Sequence, residues 1–265
     1  MRWPDALHRL TRRWRQSGPD WDVDALRATP PLCIVGDVHG RLDLAERMLD
    51  LIATQPGAAQ ARRIFVGDMI DRGPDSLGVL RRLHALSTED PAHTICLMGN
   101  HERMMLDFLA DPDRHGPRWR AAGGDATLAS AGIAAWARAP AAQLAGQLRE
   151  TLGPQMLAWL EALPLCWEAP GIGVTHAGAA PEHALAQQSA QRLLWGARGA
   201  REAARTDGMW IAQGHDIVPR VQLAQGRIML DTGAWRSGLL CAIWIDAQGA
   251  RVLQAGPDGV RVPTA

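Results

Sequence analysis

Three short apolar runs in the first hundred residues each end in a glycine followed by polar residues. "LCIV" at Leu32–Val35 runs into "GDVHG" at Gly36–Gly40. "RIFV" at Arg63–Val66 runs into "GDMIDRG" at Gly67–Gly73. "TICLM" at Thr94–Met98 runs into "GNHE" at Gly99–Glu102. Asp37 precedes Asp68 by 31 residues, and Asp68 precedes Asn100 by 32. That spacing is about 30 residues, the length of one βαβ unit. The intervening stretches carry apolar residues at helical period, with Leu42, Ala45, Leu49 and Ile52 on one face and Leu77, Leu80 and Leu83 on another. The pattern predicts βαβαβ and an α/β sheet with helices on its faces.

Ligands in open α/β sheets bind beyond the carboxyl ends of the strands. Three strand ends then deliver Asp37, His39, Asp68, Asp71, Arg72, Asn100 and His101 to one region. One aspartate after a glycine is ordinarily a turn residue or helix cap. Three such clusters in step are a poor fit to that explanation. Two later histidines follow the same grammar: His176 in "VTHAG" and His215 in "IAQGH". Asp37, His39, Asp68, Asn100, His176 and His215 form an oxygen and nitrogen donor set without thiolate, which suits Mn, Fe, Zn or Ni. Six donors fit two ions about 3.5–4 Å apart that share a carboxylate. Asn100 is the only asparagine of the chain. A carboxamide oxygen binds a cation without adding negative charge.

From Pro117 to about Leu163 the chain is Ala-rich and helical, which predicts a helical insertion at about 115–165. Short strands follow at Ile172–Thr175, Met209–Ala212, Arg227–Leu230, Leu239–Ile245 and Ala250–Ala255. "AQG" hairpin signals separate the last of them, so the second half reads as more antiparallel. Residues 1–30 read as an Arg-rich basic extension ahead of one domain at 31–265.

Composition excludes several chemistries. All 28 positive side chains are arginine, and 28 acidic residues balance them. Without lysine there is no Walker A loop and no Schiff base. The charge balance argues against a nucleic-acid partner. The four cysteines are far apart, without a C-x-x-C pair, and read as free thiols in a reducing cytoplasm. No stretch approaches about 18 apolar residues, so no transmembrane segment is expected.

"GDVHG", "GDMIDRG", "GNHE", "HAG" and "GH", in this order, resemble the dinuclear-metal phosphoprotein phosphatase family, particularly its compact bacterial and phage Ser/Thr phosphatases. The resemblance spans Leu32 to Gln254, and "GGDATLASAG" and "RIMLDTGAWRSG" add to it. It implies a calcineurin-like metallophosphoesterase sandwich, two mixed β-sheets flanked by helices. It implies two divalent ions, Mn2+ first, with Fe, Zn or Ni as alternatives. Asp37 and His39 would hold the first ion and Asn100, His176 and His215 the second, with Asp68 bridging. A water between the ions would attack phosphorus. His101 would protonate the leaving alkoxide, Asp71 would orient His101, and Arg72 would grip the phosphate.

A second phosphate-binding arginine is expected in a W-x-R pattern. "LLWGARGAR" instead offers W-x-x-R, which selects Arg198, with Arg201 and Arg192 as alternatives. "GHDIVP" also departs from the family's "GHTP". The substrate implied first is a phosphoprotein or phosphopeptide. The alternative is a symmetrical dinucleoside polyphosphate hydrolase, a nucleotide polyphosphate enzyme, which tends to carry "ARG" and "NHD" where this chain has Asp71 and Glu102. A non-catalytic metal-binding module would predict a broken ligand set, and all six positions are filled.

Overall fold

The computed structural model describes residues 21–23, 26–134, 137–197, 204–257 and 259–261. The three expected units are present. β1 (Leu32–Val35) leads to α1 (Leu42–Ala53), β2 (Arg62–Phe65) to α2 (Ser76–Glu89), and β3 (Thr94–Cys96) to α3 (Asn100–Ala110). The helices form because their apolar spacing lets one face be buried: Ala45, Met48, Leu49 and Ile52 in α1, and Leu77, Leu80 and Leu83 in α2. Asp75 starts α2 by accepting a hydrogen bond from the Gly78 amide at 2.8 Å.

The predicted insertion is helical and begins slightly earlier than expected. It contains α4 (Pro112–Trp119), a π-turn at Arg120–Gly124, α5 (Asp125–Ser130) and α6 (Ala141–Glu161). Gly153 and Pro154 break the regular geometry of α6. Leu128, Leu144, Leu148, Met156 and Leu160 from these helices join the same core as α1, α2 and one face of β1. The insertion therefore shares the main core.

The rest comprises β4 (Cys166–Ala169), β5 (Ile172–Thr175), α7 (Ala190–Trp195), β6 (Trp210–Gln213), β7 (Gln222–Ala224), β8 (Arg227–Met229), α8 (Ala234–Ser237), β9 (Leu240–Asp246), β10 (Gly249–Gly256) and β11 (Gly259–Arg261). Two sheets result, one ordered β11-β10-β9-β1-β2-β3 and the other β4-β5-β6-β8-β7. β1 alternates its faces: Cys33 and Val35 face the helical core, while Leu32 and Ile34 face the second sheet. Ile172, Val174, Trp210, Ala212 and Ile228 meet them from the other side. The fold is the expected sandwich of two mixed sheets.

The second half is mostly antiparallel, as expected, with two parallel pairings the sequence did not reveal. The hairpins β7–β8 and β9–β10 are antiparallel, as their "AQG" turns predict, but β5–β6 and β6–β8 pair in parallel. An apolar run carries burial in its pattern and not direction, so long crossovers were hidden. β4, β7 and β11 were not expected either. β4 and β7 are edge strands, and their mixed exposure gives no clear period.

Part of the basic extension packs on the body. Trp21 sits edge-on to Trp210, with ring centroids 5.1 Å apart, and Leu26 is buried between the sheets. All four cysteines are free thiols, three of them buried. Among the described residues no helix is long and apolar enough to cross a membrane.

Candidate metal centre

Five strand ends converge. His39 follows β1, Asp68 and Asp71 follow β2, Asn100 and His101 open α3 after β3, His176 follows β5, and His215 follows β6. Asp37, His39, Asp68, Asp71, Asn100, His101 and His176 are all buried. Backbone bonds lock the loops together: the His39 amide donates to Asp68 O and the Gly40 amide to Met69 O, each at 2.9 Å. His39, Asp68, Asp71, Arg72 and His215 all have positive φ, between 43° and 72°. Such strain persists only where surrounding structure enforces it, and it concentrates at functional sites.

Glu102 holds two of these loops. Its carboxylate accepts hydrogen bonds from the amides of Gly99 (2.8 Å), Asp68 (2.9 Å) and Met69 (2.8 Å). Burial, then the charge of Asp68, pushes Glu102 up to about 7 against these bonds. The sequence reading used Glu102 only to compare families, and its structural task was missed.

The lone pairs in the site face one another. His176 Nδ1 donates to Val66 O at 3.1 Å, which leaves Nε2 without a proton. Burial holds this imidazole neutral, with its pKa at about 4. Yet Nε2 lies 2.8 Å from Asn100 Oδ1 and 3.3 Å from Asp68 Oδ1. His215 Nδ1 approaches the same Asn100 oxygen at 2.9 Å. His39 repeats the arrangement. Its Nδ1 donates to Ile70 O at 2.7 Å, burial lowers its pKa to about 3, and Nε2 points toward Asp68 Oδ2 at 3.5 Å. Converging acceptors of this kind are what a cation requires, and the bonds from ring nitrogen to carbonyl fix the tautomer. Two groups of donors within 4.8 Å of one another share Asp68: His39 with His101, and His176 with His215.

Asp37 fits the same description. Oδ2 accepts from the His215 amide at 3.0 Å, while buried Oδ1 has no hydrogen-bond partner. Burial, then the charges of Asp231 and Asp68, raises its pKa well above the carboxylate range. The repulsion would be relieved by a cation. Asp231 is a residue the sequence reading passed over. It ends β8 as Asp37 ends β1, is 1% exposed, and leaves Oδ2 without a partner. The rule applied to the other strand ends would have found it.

His101 stands apart from the donors by its second contact. Its Nδ1 lies 2.6 Å from Asp71 Oδ2, and Asp71 also accepts from Trp119 Nε1 at 2.9 Å and Thr127 Oγ1 at 2.6 Å. Both supporting residues come from the helical insertion. Burial disfavours a charged His101, but Asp68 and Asp71 outweigh it and raise its pKa. Arg72 reaches His39 Nε2 at 3.1 Å and His101 Nε2 at 3.0 Å. Arg198 and Arg201 lie outside the described residues. Arg192 lies in α7.

Residues 30–193, more than half of the chain, match the family described as calcineurin-like phosphoesterase. The chain belongs to that family. The donor groups that converge at the strand ends are of the kind a metallophosphoesterase site needs. This phosphoesterase is 29% identical over 182 residues to the symmetrical bis(5'-nucleosyl)-tetraphosphatase of Pseudomonas fluorescens, covering 66% of this chain and 50% of the relative. It is 41% identical over 92 residues to serine/threonine-protein phosphatase 2 of Escherichia coli, covering 35% and 38%. The phosphoesterase thus spans about half the length, or less, of these curated relatives. A solved structure proposed to be a diadenosine tetraphosphatase superposes with a TM-score of 0.61 at 20% identity, over 86% of this chain and 94% of that one, which shows the fold. By length of alignment, the tetraphosphatases are backed better than the protein phosphatase that the motifs placed first.

Proposed function

We propose that this phosphoesterase hydrolyses symmetrical dinucleoside polyphosphates at the converged strand ends. The observation that carries the substrate class is the 182-residue alignment with a symmetrical tetraphosphatase, twice as long as the alignment with the protein phosphatase. Asp37, His39, Asp68, Asn100, His176 and His215 would hold two divalent ions. Bound there, the ions would activate water and neutralise charge on the phosphoryl group.

The remaining work falls to the chain's own side chains. Arg72 donates to phosphoryl oxygens from its place between His39 and His101. Asp71 fixes the His101 ring, and His101 gives a proton from Nε2 to the leaving oxygen. Glu102 keeps the loops of Asp68 and Asn100 in register.

A second reading has its own support. A nucleoside diphosphate departs readily as an anion, whereas a serine alkoxide needs a proton. The Asp71–His101 pair, braced by Trp119 and Thr127, is built to deliver one, which favours a phosphoserine or phosphothreonine monoester. Side-by-side turnover of diadenosine tetraphosphate and a phosphopeptide by the Mn2+-loaded protein decides between them. A strong preference for the phosphopeptide would overturn the first reading.

A further inference from the structure

Two large apolar side chains stand out to solvent among the described residues: Ile217 and Trp235, each 36% exposed. They come from different loops, Ile217 after β6 and Trp235 in the first turn of α8 after β8. Gly233, two residues before Trp235, packs close to Ile217. A Cβ on it would meet Ile217 Cγ2 at 3.3 Å and Arg236 Nε at 3.1 Å. Neither side chain belongs to any of the core clusters. Packing, the ordinary role of tryptophan, therefore does not account for this one.

Its position relative to the polar site is defined by one arginine. Arg72 Cζ stands 5.5 Å from the Trp235 ring centroid, while the same guanidinium reaches His39 and His101. Arg236 Cζ lies 6.0 Å from the same ring. A flat apolar surface thus begins where the phosphate-binding region ends, and two guanidinium groups flank it. A ligand suited to both parts carries a planar π-system beside a string of negative charges. An extended peptide would call instead for backbone partners along a groove.

We infer that Trp235 receives a nucleobase of the substrate while the adjoining phosphates lie on Arg72 and the metal centre. This rests on the dinucleoside polyphosphate reading and makes Trp235 a specificity-determining residue. Stacking of a base on an aromatic side chain contributes about 1–3 kcal/mol, or roughly 5- to 150-fold in affinity.

The test uses two competitive inhibitors of p-nitrophenyl phosphate hydrolysis by the Mn2+-loaded protein. ADP carries a base, and inorganic pyrophosphate does not. Trp235→Ala should weaken ADP about fivefold or more and leave pyrophosphate within about twofold. Trp235→Phe should restore most of the loss. Calorimetric binding of ADP and pyrophosphate to the same variants gives the ratio without turnover. The inference is overturned if both inhibitors weaken together, because Trp235 then serves only to hold Arg72. It is also overturned if ADP binds the unmodified protein no better than pyrophosphate. Discrimination by Trp235 without turnover of diadenosine tetraphosphate would uphold base binding at Trp235 and defeat the substrate reading alone.

Discussion

Asp71 Oδ2 lies 2.6 Å from His101 Nδ1, and both side chains are buried. The carboxylate fixes the ring so that Nε2 points at Arg72 and the donor cluster. His101→Asn is expected to lower kcat for p-nitrophenyl phosphate by about 10²–10⁴-fold with metal content unchanged, read by elemental analysis. Loss of one metal equivalent in that variant would make His101 a ligand, as its proximity to His39 and Asp68 would allow.

Removing metal should abolish activity and loosen the fold. The mutual repulsion of Asp37, Asp68 and Asp231 is then uncompensated. Dialysis against a chelator followed by Mn2+ should restore hydrolysis and raise the melting temperature. At a free ion concentration of about 100 Kd the stabilisation is about 2.7 kcal/mol for a single site. An unchanged melting temperature would speak against this donor set.

Asp231→Asn should have opposite effects on the two forms. Without metal it removes one buried charge beside Asp37, so the melting temperature rises. With metal it removes negative charge near the ions, and affinity for Mn2+ falls by about 10–100-fold. Calorimetric titration and thermal melts on one preparation read both. Parallel changes would mean that Asp231 acts only through its turn with Gly233.

Gly214→Ala should weaken ion binding without replacing a candidate ligand. A Cβ there would lie within bonding distance of Asp37 Oδ1 and 2.8 Å from Val66 Cγ2. Asp37 must move, so Mn2+ stoichiometry should fall below two per chain. A variant that keeps both ions would remove Asp37 from the ligand set.

Away from the site, Asp246 predicts acid sensitivity. Its carboxylate accepts from Trp244 Nε1, Arg251 and the Gln248 amide. Burial raises its pKa, but Arg251 and these bonds outweigh it and leave the pKa below the ordinary value. The unfolded chain therefore takes up a proton first, and the contribution is lost as pH falls below about 4. Asp246→Asn should cost about 1–2 kcal/mol at neutral pH and progressively less as pH falls through the folded-state pKa, by urea titration.

The donor loops were legible because each obeys one rule: an apolar run, then a polar residue at a strand end, with a glycine between them after β1, β2, β3 and β6. Asn100 and His176 are found by it, and Asp231 could have been. What the rule cannot supply is distance through space. Trp119 and Thr127 lie 48 and 56 residues from Asp71, and no local pattern ties them to it. Trp119 stacks on Phe108 at 4.7 Å, as a core tryptophan does, while its indole nitrogen holds Asp71. Parallel pairing of β5, β6 and β8 was hidden for a related reason, since direction depends on crossovers.

The Glu102 clamp joins chemistry to the rim of the sheet. β3 is a three-residue strand at the edge of its sheet, and edge strands open first. The carboxylate that follows it grips the loop of its neighbour β2, so fraying at Thr94–Cys96 would scatter Asp68 and Asn100 together. Ion binding and local opening are then two ends of one equilibrium. Occupancy of the centre would then set the hydrogen-exchange rate of the three amides that Glu102 accepts from.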